Sequence, residues 1–409
     1  MQLTNKIKSF KSRIFKDFVL NILASVVLTL ATQLIAYPYL SRLMTASEYG
    51  LLLTIMGIVN AVGVSLGNPL NNTRILMQSE YEKENLEGDY NPIFIVSLVI
   101  NVIIVFLLTT TVYGEFNSIV IGCSIISSFI LFRAYYSASY RIVISYKKNL
   151  FASLFGLLGY LLGMLITHFT KIWVYTFIFG ELFTCIYIFF TAKILHDNFK
   201  ITVLFRKSLK KYMFIMLAAI ISTLMTYMDR FFIYPVLGVE QVSIYNVASF
   251  LGKTAGIVMT PIAGVLLTYY AKEAKITIKQ FYTRTGVFTI IALVFYLFIF
   301  VVGKPITKIL YPTLIEDAAS YFAIANLGAT VFILGNTIQP ILLRFCEAKW
   351  QLIIQGLYFV LYILFGLIGM YESSLLGFCY AVLIVNFIKI IFMLCVATVS
   401  LYDREKKGV

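Results

Sequence analysis

Histidine and cysteine are scarce in this sequence. Two histidines, His168 and His196, leave little material for imidazole catalysis or a histidine-ligated metal. The five cysteines are odd in number, sit in or at the ends of apolar runs and form no C-x-x-C pair, so neither a disulfide framework nor a thiolate metal site is expected. Charge is scarce too, at 13% of residues, and no long polar segment offers room for a soluble domain. The tripeptide "GKT" at 252–254 resembles the end of a phosphate loop, but position 247 is Val247 rather than the required glycine, and no soluble strand precedes it. Intrinsic ATP hydrolysis is rejected with that motif, and no cofactor or metal is expected.

Apolar residues fill the chain instead, 60% of 409, in runs longer than the roughly 18 residues that separate a membrane span from a buried core helix. These runs predict an all-α polytopic membrane protein with twelve helices. They lie near 17–40, 48–70, 92–113, 117–140, 150–168, 172–194, 212–236, 241–269, 284–303, 317–343, 350–370 and 375–400.

The net charge of +14 follows from topology rather than from nucleic-acid binding. With a cytoplasmic N-terminus, the inner segments hold 25 of the 33 Lys and Arg, and the outer ones hold four: Arg42, Lys171, Lys304 and Lys308. That asymmetry places both termini in the cytoplasm, because basic loops stay inside. The acidic loop "QSEYEKENLEGDY" also falls inside, and it matters little since Asp and Glu contribute weakly to orientation. Before the first span, Leu3, Ile7, Phe10 and Ile14 recur at helical spacing among five basic residues, a pattern suited to an anionic leaflet and equally to an ordinary positive flank.

The cationic stretch "HDNFKITVLFRKSLKKY" at 196–212 divides the chain into two six-helix halves, 1–205 and 206–409. "RLMTASEYGLL" (42–52) aligns with "PVLGVEQVSIY" (235–245), and Pro69 and Pro261 follow at nearly the same offset. An even number of spans gives both halves the same topology, a parallel repeat with a cleft between two bundles. The longest outer connection, about 304–316, is short, which argues against a membrane glycan polymerase or ligase with a large outer catalytic loop.

Three stretches carry a family resemblance: "PYLSRLMTASEYGLL" (38–52), "MDRFFIYPVLGVEQVSIYNVA" (228–248) and "ILYPTLIEDAASYFAIA" (309–325). In order and spacing the chain resembles the polysaccharide-export branch of the multidrug/oligosaccharidyl-lipid/polysaccharide exporter (MOP) superfamily, in particular Wzx-type repeat-unit flippases. Ser243 departs from the family's usual glycine. The resemblance implies a MATE-like fold, a non-enzymatic transporter of the bacterial cytoplasmic membrane, and an undecaprenyl-pyrophosphate-linked oligosaccharide as substrate. It also implies membrane lipids and polysaccharide polymerase machinery as partners.

Six ionisable residues fall inside the predicted spans: Arg133, Glu181, Asp229, Arg230, Lys253 and Lys389. Such groups face a bundle interior or a watery cavity, because lipid offers them no partner. Four cations against two carboxylates suit a pyrophosphate better than a drug cation, which disfavours a cation-coupled small-molecule exporter. Arg230, Lys253, Arg133 and Lys389 are the candidate substrate contacts. Asp229 and Glu181 are the candidate coupling or structural carboxylates. Arg133 and Lys389 also lie close enough to the inner side to snorkel there, and Arg230 close enough to the outer.

Overall fold

A chain in lipid must satisfy its backbone groups within each segment, and helices are how this one does so. The computed structural model describes residues 23–406 apart from 25, 144, 198, 272 and 274, and among them no strand occurs. The repeat of Leu3, Ile7, Phe10 and Ile14 lies outside the described residues. In chain order the helices are α1 (Val26–Ser41), α2 (Ala46–Lys83), α3 (Asn91–Tyr113), α4 (Ser118–Ile142), α5 (Tyr146–Thr170) and α6 (Val174–Thr191). They continue as α7 (Phe205–Leu237), α8 (Val239–Ala248), α9 (Phe250–Ala271), α10 (Ile278–Leu310), α11 (Phe322–Phe345) and α12 (Ala348–Lys406).

Nine helices among the described residues are long and apolar enough to cross a membrane. Where they are described, the predicted segments coincide with helix except near their ends, and two of them differ in form. Helix α12 carries the last two segments, joined at Ser373 and Ser374, where the backbone leaves helical geometry and Ser374 takes φ 54. The eighth segment is broken at Ser249 into α8 and α9. Asn326 on α11 fastens that break: its Nδ2 donates to the Ala248 carbonyl at 2.6 Å, and its Oδ1 accepts from the Gly252 amide at 2.9 Å. The "GKT" glycine is therefore part of a helix joint.

The chain forms two compact units, each described by itself. Unit 1 contains α1 and runs on from Leu52 to Asp229; unit 2 contains Met44–Leu51 and the chain from Arg230 onward. The first part of α7 belongs to unit 1 through its polar side chains. Tyr212 shares a hydrogen bond with Ser97 at 3.0 Å and donates to the Leu66 carbonyl at 3.3 Å, and Ser208 meets Tyr81 at 2.8 Å. Aromatic residues fill the neighbouring core, with Tyr81, Tyr90, Tyr135, Tyr136 and Tyr140 buried together.

In unit 2, Gly50 lies against the Val239 carbonyl so closely that a Cβ there would stand 1.8 Å from the oxygen. The two starts that align in the sequence repeat thus pack against each other, and only a residue without a side chain fits. The arms of α12 cross in the same manner, since a Cβ on Gly377 would fall 1.9 Å from the Gly369 carbonyl oxygen. Around the core, α10 leaves Ile290, Ile291, Val294, Leu297 and Val301 exposed, an apolar flank suited to lipid tails.

Because the obstructing atoms are backbone, Gly377→Val has no side-chain rearrangement to relieve it. We expect a loss of at least the ~1–3 kcal/mol typical of overpacking, read as a lower unfolding temperature in detergent or as lost monodisperse protein.

Candidate functional site

In unit 1 a charged triad joins three helices. Arg133 of α4 donates from Nε to Glu181 Oε2 at 2.7 Å and from Nη2 to Oε1 at 3.2 Å, and Tyr160 of α5 donates its hydroxyl to Oε1 at 3.1 Å. The carboxylate of α6 is nearly enclosed, 4% exposed, while the guanidinium side chain is 27% exposed. Three donors on one buried carboxylate match its charge fully, as a low-dielectric site demands. Arg133 therefore turns to Glu181 rather than to a membrane face. Tyr160 could not be singled out in the sequence, because an apolar helix supplies many tyrosines and no spacing rule relates this one to Glu181.

At the basic end of unit 1 a second polar network closes over the chain that leads into α7. Arg74 of α2 pairs with Asp197, and its guanidinium stands 5.1 Å from the centre of the Tyr90 ring. Asn91 Nδ2 donates to the Asp197 carbonyl at 2.8 Å and its Oδ1 accepts from Tyr136 at 3.2 Å. Fully buried Asp89 accepts from the Tyr81 hydroxyl, from the Thr202 amide at 2.9 Å and from the Thr202 hydroxyl at 2.6 Å. The hydropathy pattern ends the second span near residue 70, so Arg74 reads there as an ordinary flanking charge. In the folded chain α2 continues to Lys83, about 57 Å in all at 1.5 Å per residue, and carries Arg74 into a buried position.

In unit 2, Arg230 is buried, and its Nη2 lies 3.5 Å from Asn246 Oδ1 of α8. Lys253 of α9 places its ammonium 4.4 Å from the centre of the Tyr245 ring, also on α8. Arg230 thus sits within the protein interior instead of snorkelling outward. Asp229, also buried, precedes it on α7 and belongs to unit 1. Lys389 lies on the second arm of α12. Its ammonium rests 4.5 Å from the Tyr358 ring centre and 4.9 Å from that of Phe332, with the residue 5% exposed. A lysine at a helix centre costs about 2.5–3.5 kcal/mol on insertion scales, and a desolvated cation–π contact returns about 2 kcal/mol. Two rings therefore bring the charged form close to balance without a carboxylate. Aromatic residues default to lipid contact in a sequence reading, so Tyr245, Phe332 and Tyr358 gave no signal.

The helix order and these geometries can be set beside known proteins. No protein-family model matches this chain, and no curated protein matches it. Solved structures do. The chain superposes on the "Lipid II flippase MurJ, inward closed conformation" with TM-score 0.69 and 14% identity, over 94% of this chain and 86% of that one. A MATE structure in complex with MaD3S matches with TM-score 0.66 and 16% identity, over 96% and 97%. An outward-facing multidrug resistance MATE family transporter of the MOP superfamily gives 0.59 and 16%, over 96% of both chains. The fold is MATE- and MurJ-like. At this identity the likeness establishes architecture and leaves the activity to the site.

Two consequences follow for stability. Glu181→Ala strands Arg133, and losing one partner of a buried pair costs about 3–5 kcal/mol, whereas Arg133→Met with Glu181→Met costs less because no charge remains. Tyr160→Phe costs about 1 kcal/mol; thermal unfolding of the purified variants orders the three. At Asp197, burial holds the carboxyl above the ordinary carboxylate range in spite of Arg74. The folded protein then binds that proton more tightly than the unfolded chain. Its contribution is complete below the unfolded value of about 3.9 and is lost as pH rises through the folded value. The stability difference between wild type and Asp197→Asn, followed by thermal melts from acid to neutral pH, should accordingly be most favourable to wild type at the acid end.

Proposed function

We propose that this protein is a Wzx-type flippase. It turns undecaprenyl-pyrophosphate-linked oligosaccharide repeat units from the inner to the outer leaflet of a bacterial cytoplasmic membrane, with both termini cytoplasmic, and hands them to polysaccharide polymerase machinery. One observation carries the reading: the charge of unit 2. Its membrane helices bring Arg230, Lys253 and Lys389 inside, while its carboxylates among the described residues stand at helix ends, beside the kink of α12 and in connections. A surplus of interior cations suits a pyrophosphate headgroup.

Arg230 and Lys253 are the substrate contacts. Arg230 offers a planar fork for phosphate oxygens and Lys253 a mobile point charge. Arg133 of unit 1 is a separate candidate contact, through the part of its guanidinium that Glu181 leaves open, and Asp229 precedes Arg230 on α7, about 100° around the helix. Lys389 is a further candidate contact, its ammonium resting on two rings as that of Lys253 rests on one. The alternating-access cycle lets the headgroup cross while the lipid tail stays in the bilayer.

The MATE-like fold supports a second reading, a cation-coupled exporter of small molecules. A drug cation calls for an available carboxylate, and in unit 1 the buried Glu181 already holds Arg133 and Tyr160. That matched charge favours the flippase.

The test is translocation of a fluorescent undecaprenyl-pyrophosphate-linked glycan in proteoliposomes. Charge-assisted contacts of about 1.5–3 kcal/mol predict that Arg230→Ala and Lys253→Ala each slow translocation about ten- to a hundredfold. Full rates in both variants, with normal folding, would remove the assigned contacts.

A further inference from the structure

We propose that the cavity where α10 begins and α12 ends binds one anionic phospholipid of the surrounding bilayer, with its phosphate between Lys275 and Arg404. The cavity lies within unit 2 and measures about 250 Å³, far above the ~10–15 Å³ that one water needs. Its floor is apolar: Ile276, Phe345 and Leu401, all buried. Its rim is charged, with Lys275 and Arg404 both exposed. An apolar floor under a cationic rim calls for an amphiphile with a negative head.

The cations of the rim are the uncommitted ones at this end of the unit. Arg284 pairs with Glu273 at 2.9 Å, Arg344 donates to the Tyr270 and Glu273 carbonyls, and Lys349 pairs with Glu347. Among the described residues, Lys275 and Arg404 have no ion pair. The remaining charge on the rim, Glu405, is engaged: its Oε1 accepts from the Ile278 amide at 3.0 Å. Thr277 and Gln280 complete the start of α10, the Gln280 amide donating to Thr277 Oγ1 at 3.2 Å and the Thr277 amide to Gln280 Oε1 at 3.1 Å. The helix start is thus satisfied from within the chain, and what the cavity leaves open is its pair of side-chain cations. Two cations and one carboxylate leave a single surplus positive charge, which matches the one negative charge of a phosphodiester headgroup.

The surroundings set the depth. Tyr282, in the second turn of α10, and Tyr402, next to Leu401, are exposed, and tyrosines collect where the bilayer meets water. Tyr282 shares a hydrogen bond with Thr398 at 2.8 Å and so ties α10 to α12 beside the cavity. Further along α10 the exposed flank of Ile290, Ile291 and Val294 offers acyl chains an apolar path. A free phosphate would use the cations and leave the floor empty; a diacyl phosphodiester uses both.

The test is lipid binding by the purified full-length chain, followed by native mass spectrometry from detergent with dioleoyl phosphatidylglycerol and dioleoyl phosphatidylcholine. Wild type should hold phosphatidylglycerol more tightly. Lys275→Gln and Arg404→Gln should each weaken it about fivefold, and together about twenty-five-fold, with phosphatidylcholine unaffected. Lys279→Gln removes a nearby exposed cation of α10 that does not line the cavity, and should leave the preference unchanged. Equal weakening by Lys279→Gln would mean a diffuse basic surface and overturns the inference, as does a double variant with wild-type affinity. Wild type that holds both lipids equally overturns it without any variant.

Inorganic phosphate and glycerol 3-phosphate, added as competitors at the lipid's own concentration, should not displace phosphatidylglycerol. Displacement by either makes the ligand a soluble phosphate and overturns the lipid assignment. The two side chains are exposed and unpaired, so the variants should melt as wild type does in lipid-free detergent. None of these readouts needs a transported substrate, and the flippase reading stands or falls apart from them.

Discussion

A charge inside a bilayer has no bulk water to turn to, and the interior of this protein is arranged around that constraint. Each ionisable group in the spans costs more than a typical side-chain contact returns. It must find a carboxylate, a polar side chain or an aromatic face. Arg133 takes Glu181, Arg230 approaches Asn246, and Lys253 and Lys389 lie over rings. These are three different solutions to one electrostatic problem, and they imply different chemistry.

A bidentate ion pair closed by a tyrosine is a fixture. Its charges cancel locally, and each partner depends on the other. A cation over an aromatic face keeps its charge available, because a ring quadrupole attracts it without neutralising it. Among the six charges of the predicted spans, the ion pair lies in unit 1 and the ring-faced lysines lie in unit 2. Unit 1 is held by matched pairs, Arg133 with Glu181 and Arg74 with Asp197. Unit 2 carries Lys253 and Lys389, whose ammonium groups rest on π faces and keep their charge.

Polar side chains do further work at the breaks in helical order. Where α8 gives way to α9, backbone groups would be left without partners in an apolar setting, and Asn326 supplies both a donor and an acceptor. At the basic end of unit 1, Asp89 and Asn91 fasten the chain leading into α7 through Thr202 and Asp197. The first part of α7 consequently belongs to unit 1, although the repeat assigns it to the second half of the sequence. The sequence expectation draws the boundary at the most cationic linker, whereas the contacts of Ser208 and Tyr212 hold the first part of α7 in unit 1.

The sequence by itself determined the helical class, the membrane setting, the location of the twelve apolar segments and the identity of the six intramembrane charges. These are properties of composition and local hydropathy, which each segment expresses without knowing its neighbours. Tertiary structure alone decided the partners. Arg133 finds Glu181 across 48 residues, and Lys389 is boxed by rings from two other segments, one of them the opposite arm of its own long helix. Charge choice in lipid depends on what stands within a few ångströms in space. Hydropathy records that a charge needs company, and only packing assigns it.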